Sequence, residues 1–404
     1  MRTTRPTTRR LATAAVMALT VSLTGCPPGP PPAEPKPQGP SPASVTAPRP
    51  GGSAGAASVS SDGALLAYVH SQLGIDFTSR AEAIAWHRPT DQYRSSRDVF
   101  PNATDTTSPA VSGDGRFVFF SPSDAAESGG ARLVRYSTIT GAIDQFPIDP
   151  VLPGYRITEQ VASNDGSVVA LELRGPQGAA RSTDVAFWTE ARGFDVVEPY
   201  GSDVQGSLSD SVGISRNGRY LGASVTLRSG TFLLAVYDSE TRSWGSRRVG
   251  APGQWVKELA TLDDGSVIFD ATTFVTGAAP TSDGVRLWPW AGGSAQQLVP
   301  SDVHARGIAA SANGRFVAYT ESDPDAPPSF SWVGAPRLYD RATGVSVPAG
   351  RPGDMYDSDG ATYPVAVSDD GLTVVLETTE IDLLVVGGPL ESPTNRVVVW
   401  DRST

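Results

Sequence analysis

The chain has 404 residues, 32 Lys and Arg against 43 Asp and Glu, a net charge of −11 and a pI of about 4.8. Such an acidic balance argues against nucleic acid and anionic lipid surfaces as partners, since both require cationic complementarity. One Cys and three His exclude a disulfide framework and leave no residues at His/Cys metal-ligand spacing, so no metal or other cofactor is expected.

In chain order, the first element is a segment of export-signal character. Arg2, Arg5, Arg9 and Arg10 precede the apolar run from Leu11 to Val21, which is too short for the roughly 20 residues a membrane span needs. It ends at Leu23-Thr24-Gly25-Cys26, which resembles the lipobox of bacterial lipoproteins. That resemblance implies removal of residues 1–25, acylation of Cys26 (with palmitate among the acyl groups) and an exported protein held at the outer face of the cell membrane or in an outer membrane. Cys26 is the sole cysteine, so its retention is accounted for by lipid attachment. Residues 26–43, PPGPPPAEPKPQGPSPA after the cysteine, are too rich in Pro for helix or ladder. They predict an extended spacer with a reach of about 50 Å.

The remainder, residues 44–404, is a repeat. Asp62-Gly63, Asp114-Gly115, Asp165-Gly166, Asn217-Gly218, Asp264-Gly265, Asn313-Gly314 and Asp370-Gly371 recur at spacings of 52, 51, 52, 47, 49 and 57 residues. Asp-Gly and Asn-Gly between apolar runs are hairpin signals. Small and β-branched residues precede each turn, as in Val365-Ala366-Val367, and suit a crowded axis. Continuous apolar runs follow, as in Phe117 to Phe120, and predict strands covered on both faces. A third apolar segment ends in Trp86, Tyr136, Trp188, Tyr237, Trp288, Tyr339 or Trp400, where a large ring would fill the widening wedge between neighbouring sheets. A Gly-containing turn and a fourth strand complete each unit. The expectation is an all-β, seven-bladed β-propeller of four-stranded antiparallel blades. A transmembrane barrel is excluded by second strands that are apolar on both parities.

The chain ends just after the third strand of the seventh blade. Residues 44–51 read SVTAPRPG, and residues 346–353, following the third strand of the sixth blade, read SVPAGRPG. This match predicts that an N-terminal strand near Val45 closes the ring by pairing beside Val397 to Trp400.

Segments such as SGDGRFVFFS, and SANGRFVAYTES followed by PRLYDRATG, resemble the WD-like repeats of TolB-type propellers. The resemblance spans residues 44–404 and implies the same blade architecture. Two departures stand out: TolB has six blades and a separate N-terminal domain, and its typical Pro before the Asp is replaced here by Ser61, Gly113, Asn164, Arg216, Asp263, Ala312 or Asp369.

Recognised catalytic constellations are missing from the sequence. Gly51-Gly52-Ser53-Ala54-Gly55 has the G-x-S-x-G spacing, but in an all-β repeat it lacks the strand-to-helix elbow the motif requires. Asp354, Asp357 and Asp359 lack a closing Glu and read as a solvated turn. A ring of polar residues ahead of the turns is the candidate binding rim: Glu159, Asp210, Glu258 and Arg306, with Tyr155, Trp255, His304 and Tyr363 as neighbours. The sequence therefore predicts a tethered binding or scaffold propeller for a protein, peptide or glycan partner in the cell envelope. The alternative is a hydrolase or lyase acting on an envelope polymer through rim carboxylates.

Overall fold

Each unit begins with the same turn chemistry. In six of the seven turns a Ser stands two residues before the Asp or Asn: Ser60, Ser112, Ser163, Ser215, Ser311 and Ser368, all fully buried. Its hydroxyl donates to the Asp or Asn side chain, at 2.6 Å in Ser60–Asp62 and 2.7 Å in Ser112–Asp114. The same oxygen accepts the N–H five residues on, at 2.9 Å from Leu65 and 3.0 Å from Phe117. The seven turn glycines lie at φ +67° to +79°, a conformation that favours residues without a Cβ. Blade 5 carries Leu262 in place of the Ser, and there the residue's N–H closes onto Ser266 O, one position earlier than Ser60 N–H closing onto Leu65 O. The six hairpins that carry the Ser are thus one residue longer than the one that lacks it.

The computed structural model describes residues 52–73, 79–123, 131–148, 150–176, 183–197, 204–227, 232–248, 254–273, 281–299, 305–322, 334–349, 362–380 and 394–402. They form seven antiparallel sheets arranged as the blades of a propeller and one small two-stranded sheet, Asp105–Thr106 with Pro122–Ser123. Blade 3 is representative: Arg156–Ala162, Val168–Arg174, Thr183–Thr189 and Gly193–Val197 run from the axis outward. Blades 1 to 6 have four strands each. Blade 7 has three among the described residues, Thr362–Val367, Thr373–Glu380 and Thr394–Asp401. The expected closing strand near Val45 lies outside the described residues, as do Cys26 and the 26–43 spacer. Its counterpart at 346–348 does sit in a fourth strand, Val345–Pro348. Residues 52–55, where the G-x-S-x-G spacing falls, belong to the innermost strand Gly52–Val59. None of the described helices is long and apolar enough to cross a membrane.

The core is divided among seven apolar clusters, and each lies between two consecutive blades. Val169, Leu171 and Leu173 of the second strand in blade 3 pack toward Phe119 and Leu133 of blade 2. Ala170 and Val185 face Leu221 and Ala223 of blade 4. The second strand is therefore apolar on both parities because it is covered on both faces. Each third-strand aromatic points back at the preceding blade: Trp188 sits 6.0 Å from Phe119 and 4.5 Å from Phe146 between ring centroids. Full burial of one such ring is worth on the order of 2–3 kcal/mol.

The seventh cluster closes the ring. Leu66, Ile84 and Trp86 of blade 1 pack against Val375, Val397 and Val399 of blade 7. Arg88 reaches the Asp401 carboxylate and donates to Thr373 Oγ1 at 3.2 Å, while Asp369 N–H donates to Ser61 O at 2.7 Å.

Candidate functional site

The seven innermost strands converge on a central cavity of about 380 Å³. Its wall is built from the small residues seen ahead of each turn, including Ala57, Ala110, Ala162, Gly213, Ala260 and Ala309. Seven strands can meet around one axis only if their inward side chains are small, so composition and cavity have one cause.

The turn face of this cavity is tied together. Ser61 N–H donates to Gly113 O at 2.8 Å, Asn164 N–H to Arg216 O at 2.8 Å, and Asn313 N–H to Asp369 Oδ1 at 2.9 Å. Such bonds join six of the seven pairs of neighbouring turns among the described residues. Ser61, Gly113, Asn164 and Asp369 use their own N–H for this purpose. They stand where the TolB-like pattern has Pro, which has no N–H to give. Across the axis, Arg216 Nη1 of blade 4 meets Asp369 Oδ2 of blade 7 at 3.0 Å, as an ion pair whose angles fall outside those of a hydrogen bond. The turn face is thus bridged by opposite charges from blades nearly diametrically opposed.

Toward the opposite mouth the innermost strands bulge, with register breaks at Gly55/Ser58, Ile157/Glu159, Val256/Leu259, Arg306/Ile308 and Pro364/Ala366. A bulge releases a ladder N–H and re-aims side chains. Here a side chain from the preceding blade accepts such N–H groups: Ser211 from Leu259 at 3.1 Å, Glu377 from Ala56 at 3.1 Å and Glu258 from Ile308; Ser58 likewise accepts from Val111 at 3.1 Å in the unbroken inner strand of blade 2. Gln160, buried, accepts from Thr107 Oγ1 at 2.9 Å and donates to Ser108 O.

The structure brings Glu159 and Glu258 together in the cavity wall. Glu258 holds the Ile308 N–H with Oε2, and its own N–H donates to the buried Asp270 carboxylate at 3.0 Å. Glu159 pairs in register with Glu172. Tyr363 lies beside Glu258 at Gly307 (φ +58°), where an added Cβ would stand 3.4 Å from the Tyr363 ring and 3.6 Å from Glu258 Oε2. Tyr155 packs half-buried on the apolar cluster between blades 2 and 3, outside the cavity lining. Asp210, Trp255 and Arg306 belong to innermost strands, Val204–Ile214, Gln254–Thr261 and Ala305–Ala310, but their side chains lie outside the described residues, as does His304 entirely. The 354–360 acidic loop is outside them as well. Among the described residues no three His, Cys, Asp or Glu side chains form a group that could hold a metal.

Sequence reasoning missed Gln160, Ser211 and the Arg216–Asp369 bridge. The bridge had a signal: opposite charges at one repeat position, directly before the turn Asp or Asn. Gln160 and Ser211 had none, because the groups they bond lie 48 to 53 residues away along the chain.

No protein-family profile matches the sequence, and no curated protein does. Solved structures are similar in fold. A prolyl endopeptidase gives a TM-score of 0.55 at 14% identity over 87% of this chain. A mitotic checkpoint complex chain gives 0.51 at 11% over 86% of this chain and 90% of that one. An oligogalacturonate lyase from Vibrio parahaemolyticus gives 0.52 at 10% over 85% and 88%. This chain spans 50% of the length of the prolyl endopeptidase. Likeness at these identities is likeness of architecture: the chain is a seven-bladed β-propeller.

Proposed function

We propose that this protein is a binding module of the bacterial cell envelope, anchored by lipid on Cys26, held off the membrane by residues 26–43, and presenting the mouth of its central cavity to a protein, peptide or glycan partner. The observation that carries the reading is the asymmetry of that cavity. At the turn face its wall is tied by backbone bonds and bridged by Arg216–Asp369. At the mouth its wall carries Glu159 and Glu258 on bulged strands. A rigid concave surface with few convergent polar groups is what ligand recognition uses, and fold alone is neutral about the ligand.

Pull-down with the full-length chain from detergent-solubilised membranes should recover a stoichiometric partner, reduced by Glu159→Gln and Glu258→Gln together. Recovery of no partner across growth conditions would count against the reading. Mass spectrometry of the mature N-terminus should show an acylated Cys26 as residue one.

A second reading, a carboxylate-dependent hydrolase or lyase, draws on Glu159 and Glu258 sharing one cavity and on propeller neighbours that include a prolyl endopeptidase and an oligogalacturonate lyase. Turnover of an envelope polymer that is lost in Glu258→Gln would favour it.

A further inference from the structure

Away from the axis, blades 1 and 2 form a second, partly open cavity of about 300 Å³, lined by Ala83, Ala85, Val118, Phe120, Tyr136 and Ile143, with Arg94 and Asp98 exposed at its edge. Its origin lies in a departure of blade 1 from the repeat. Ala85 pairs with Ala67, five residues after the turn Asp; in blade 3, Phe187 pairs with Ala170, again five residues after it. By the same alignment Ala83 corresponds to Val185. Blades 2, 3, 4, 6 and 7 carry residues larger than Ala at both positions, and blade 5, whose hairpin is one residue shorter, carries Arg286 and Gly284 there.

What fills the equivalent place elsewhere indicates what this cavity accepts. Between blades 3 and 4 the Phe187 ring lies 5.5 Å from Tyr237, at 45°. Tyr237 corresponds to Tyr136, each pairing with the residue four positions after the turn Asp or Asn. Over Ala85, Tyr136 has no such ring among the described residues. Blade 2 does place Phe120 where blade 4 has Ala223, yet Phe120 engages Phe100 edge-on at 6.1 Å and forms a wall rather than a filling. The place that Phe187 fills in blade 3 is thus walled here by Phe120 and Tyr136 and left open by Ala85. Its volume is about twice that of an apolar cavity known to admit benzene, roughly 150 Å³.

We propose that the seam between blades 1 and 2 is a binding site for a small neutral aromatic molecule, of phenol to indole size, whose ring takes the place that Phe187 occupies in blade 3 and whose polar substituent meets Arg94 and Asp98. The site is separate from the central cavity and shares no lining residue with it.

Titration calorimetry of the propeller-bearing full chain with indole tests this, alongside Ala85→Phe, which supplies the missing ring in cis. Wild type should bind, its thermal midpoint should rise with indole concentration, and Ala85→Phe should bind at least ~10-fold more weakly, a difference of about 1.4 kcal/mol. Ala85→Val serves the same comparison if the Phe variant loses its native circular dichroism. Absence of indole binding to wild type up to its solubility, or equal binding to wild type and a folded cavity-filling variant, would overturn the proposal.

Discussion

The two ends of the central cavity are built on different principles. At the turn face one device recurs: a buried Ser, an Asp or Asn, a glycine at positive φ and a backbone bond to the next turn. At the mouth a single need, acceptance of an inner-strand N–H, is met by Ser58, Ser211, Glu258 or Glu377 according to the blade. Repetition at one end ties neighbouring turns to one another in six of the seven pairs among the described residues. Variety at the other leaves the chemistry of each blade free to differ, which is where a scaffold acquires a specific ligand.

The largest effect should come from the apolar wedges on the turn side. Trp188 is 1% exposed and contacts both Phe119 and Phe146. Trp188→Ala should cost about 3–5 kcal/mol in urea unfolding. Glu159→Gln at the mouth should stay within about 0.5 kcal/mol of wild type, as expected for a site that does not carry the fold. Comparable losses from the two substitutions would erase the distinction between the faces.

A middle-sized effect should come from the turn hydroxyl. Ser368 donates to Asp370 at 2.6 Å and accepts the Thr373 N–H at 2.9 Å, fully buried. Ser368→Ala leaves that N–H without its acceptor and should cost about 1–3 kcal/mol. Blade 5, which manages with Leu262, is the internal control: Leu262→Ala should lose stability through packing and leave hairpin length unchanged. Amide exchange at Thr373 separates the two, since faster exchange is expected only in the Ser variant.

This contrast also explains what could be read in advance. Turn spacing, blade count and the seven aromatics were legible because they are local signals repeated seven times, and a period survives irregular loops between its elements. The buried Ser was in plain view in Val161-Ala162-Ser163 and Val367-Ser368, but its role depends on the N–H five residues away and becomes visible only once the hairpin is closed. Glu159 and Glu258 were found because charged residues stand six or seven positions ahead of several turns. That Glu258 supports blade 6 was not legible, because the Ile308 N–H it accepts lies 50 residues along the chain. The Ala85 cavity escaped for the opposite reason: alanine in a strand carries no signal until it is aligned with Phe187.

The smallest effect concerns pH and belongs to the turn face. Arg315, next to Asn313-Gly314, donates to Asp340 through Nε at 3.0 Å and Nη2 at 2.9 Å. Those bonds, reinforced by the Ala342 N–H and the positive charge itself, hold the Asp340 carboxyl down to about 2. Arg219 and Asp238 repeat the arrangement in blade 4, and Asp238 is likewise lowered, chiefly by the hydrogen bonds from Arg219. A carboxylate whose folded value lies below its unfolded value of about 3.9 stabilises the fold fully above the latter, and the gain disappears as pH falls toward the former. Thermal midpoints should therefore decline between about pH 4 and pH 2, with the unfolded state taking up the protons first. Arg315 is half exposed, so solvent screening keeps the contribution small. Arg315→Gln should flatten part of that decline and alter the midpoint less at pH 2 than at neutral pH, because Asp340 is already losing its charge there. An unchanged slope in the variant would mean that the acid sensitivity of the ring arises elsewhere, with Asp238 and its partner Arg219 the next pair to test.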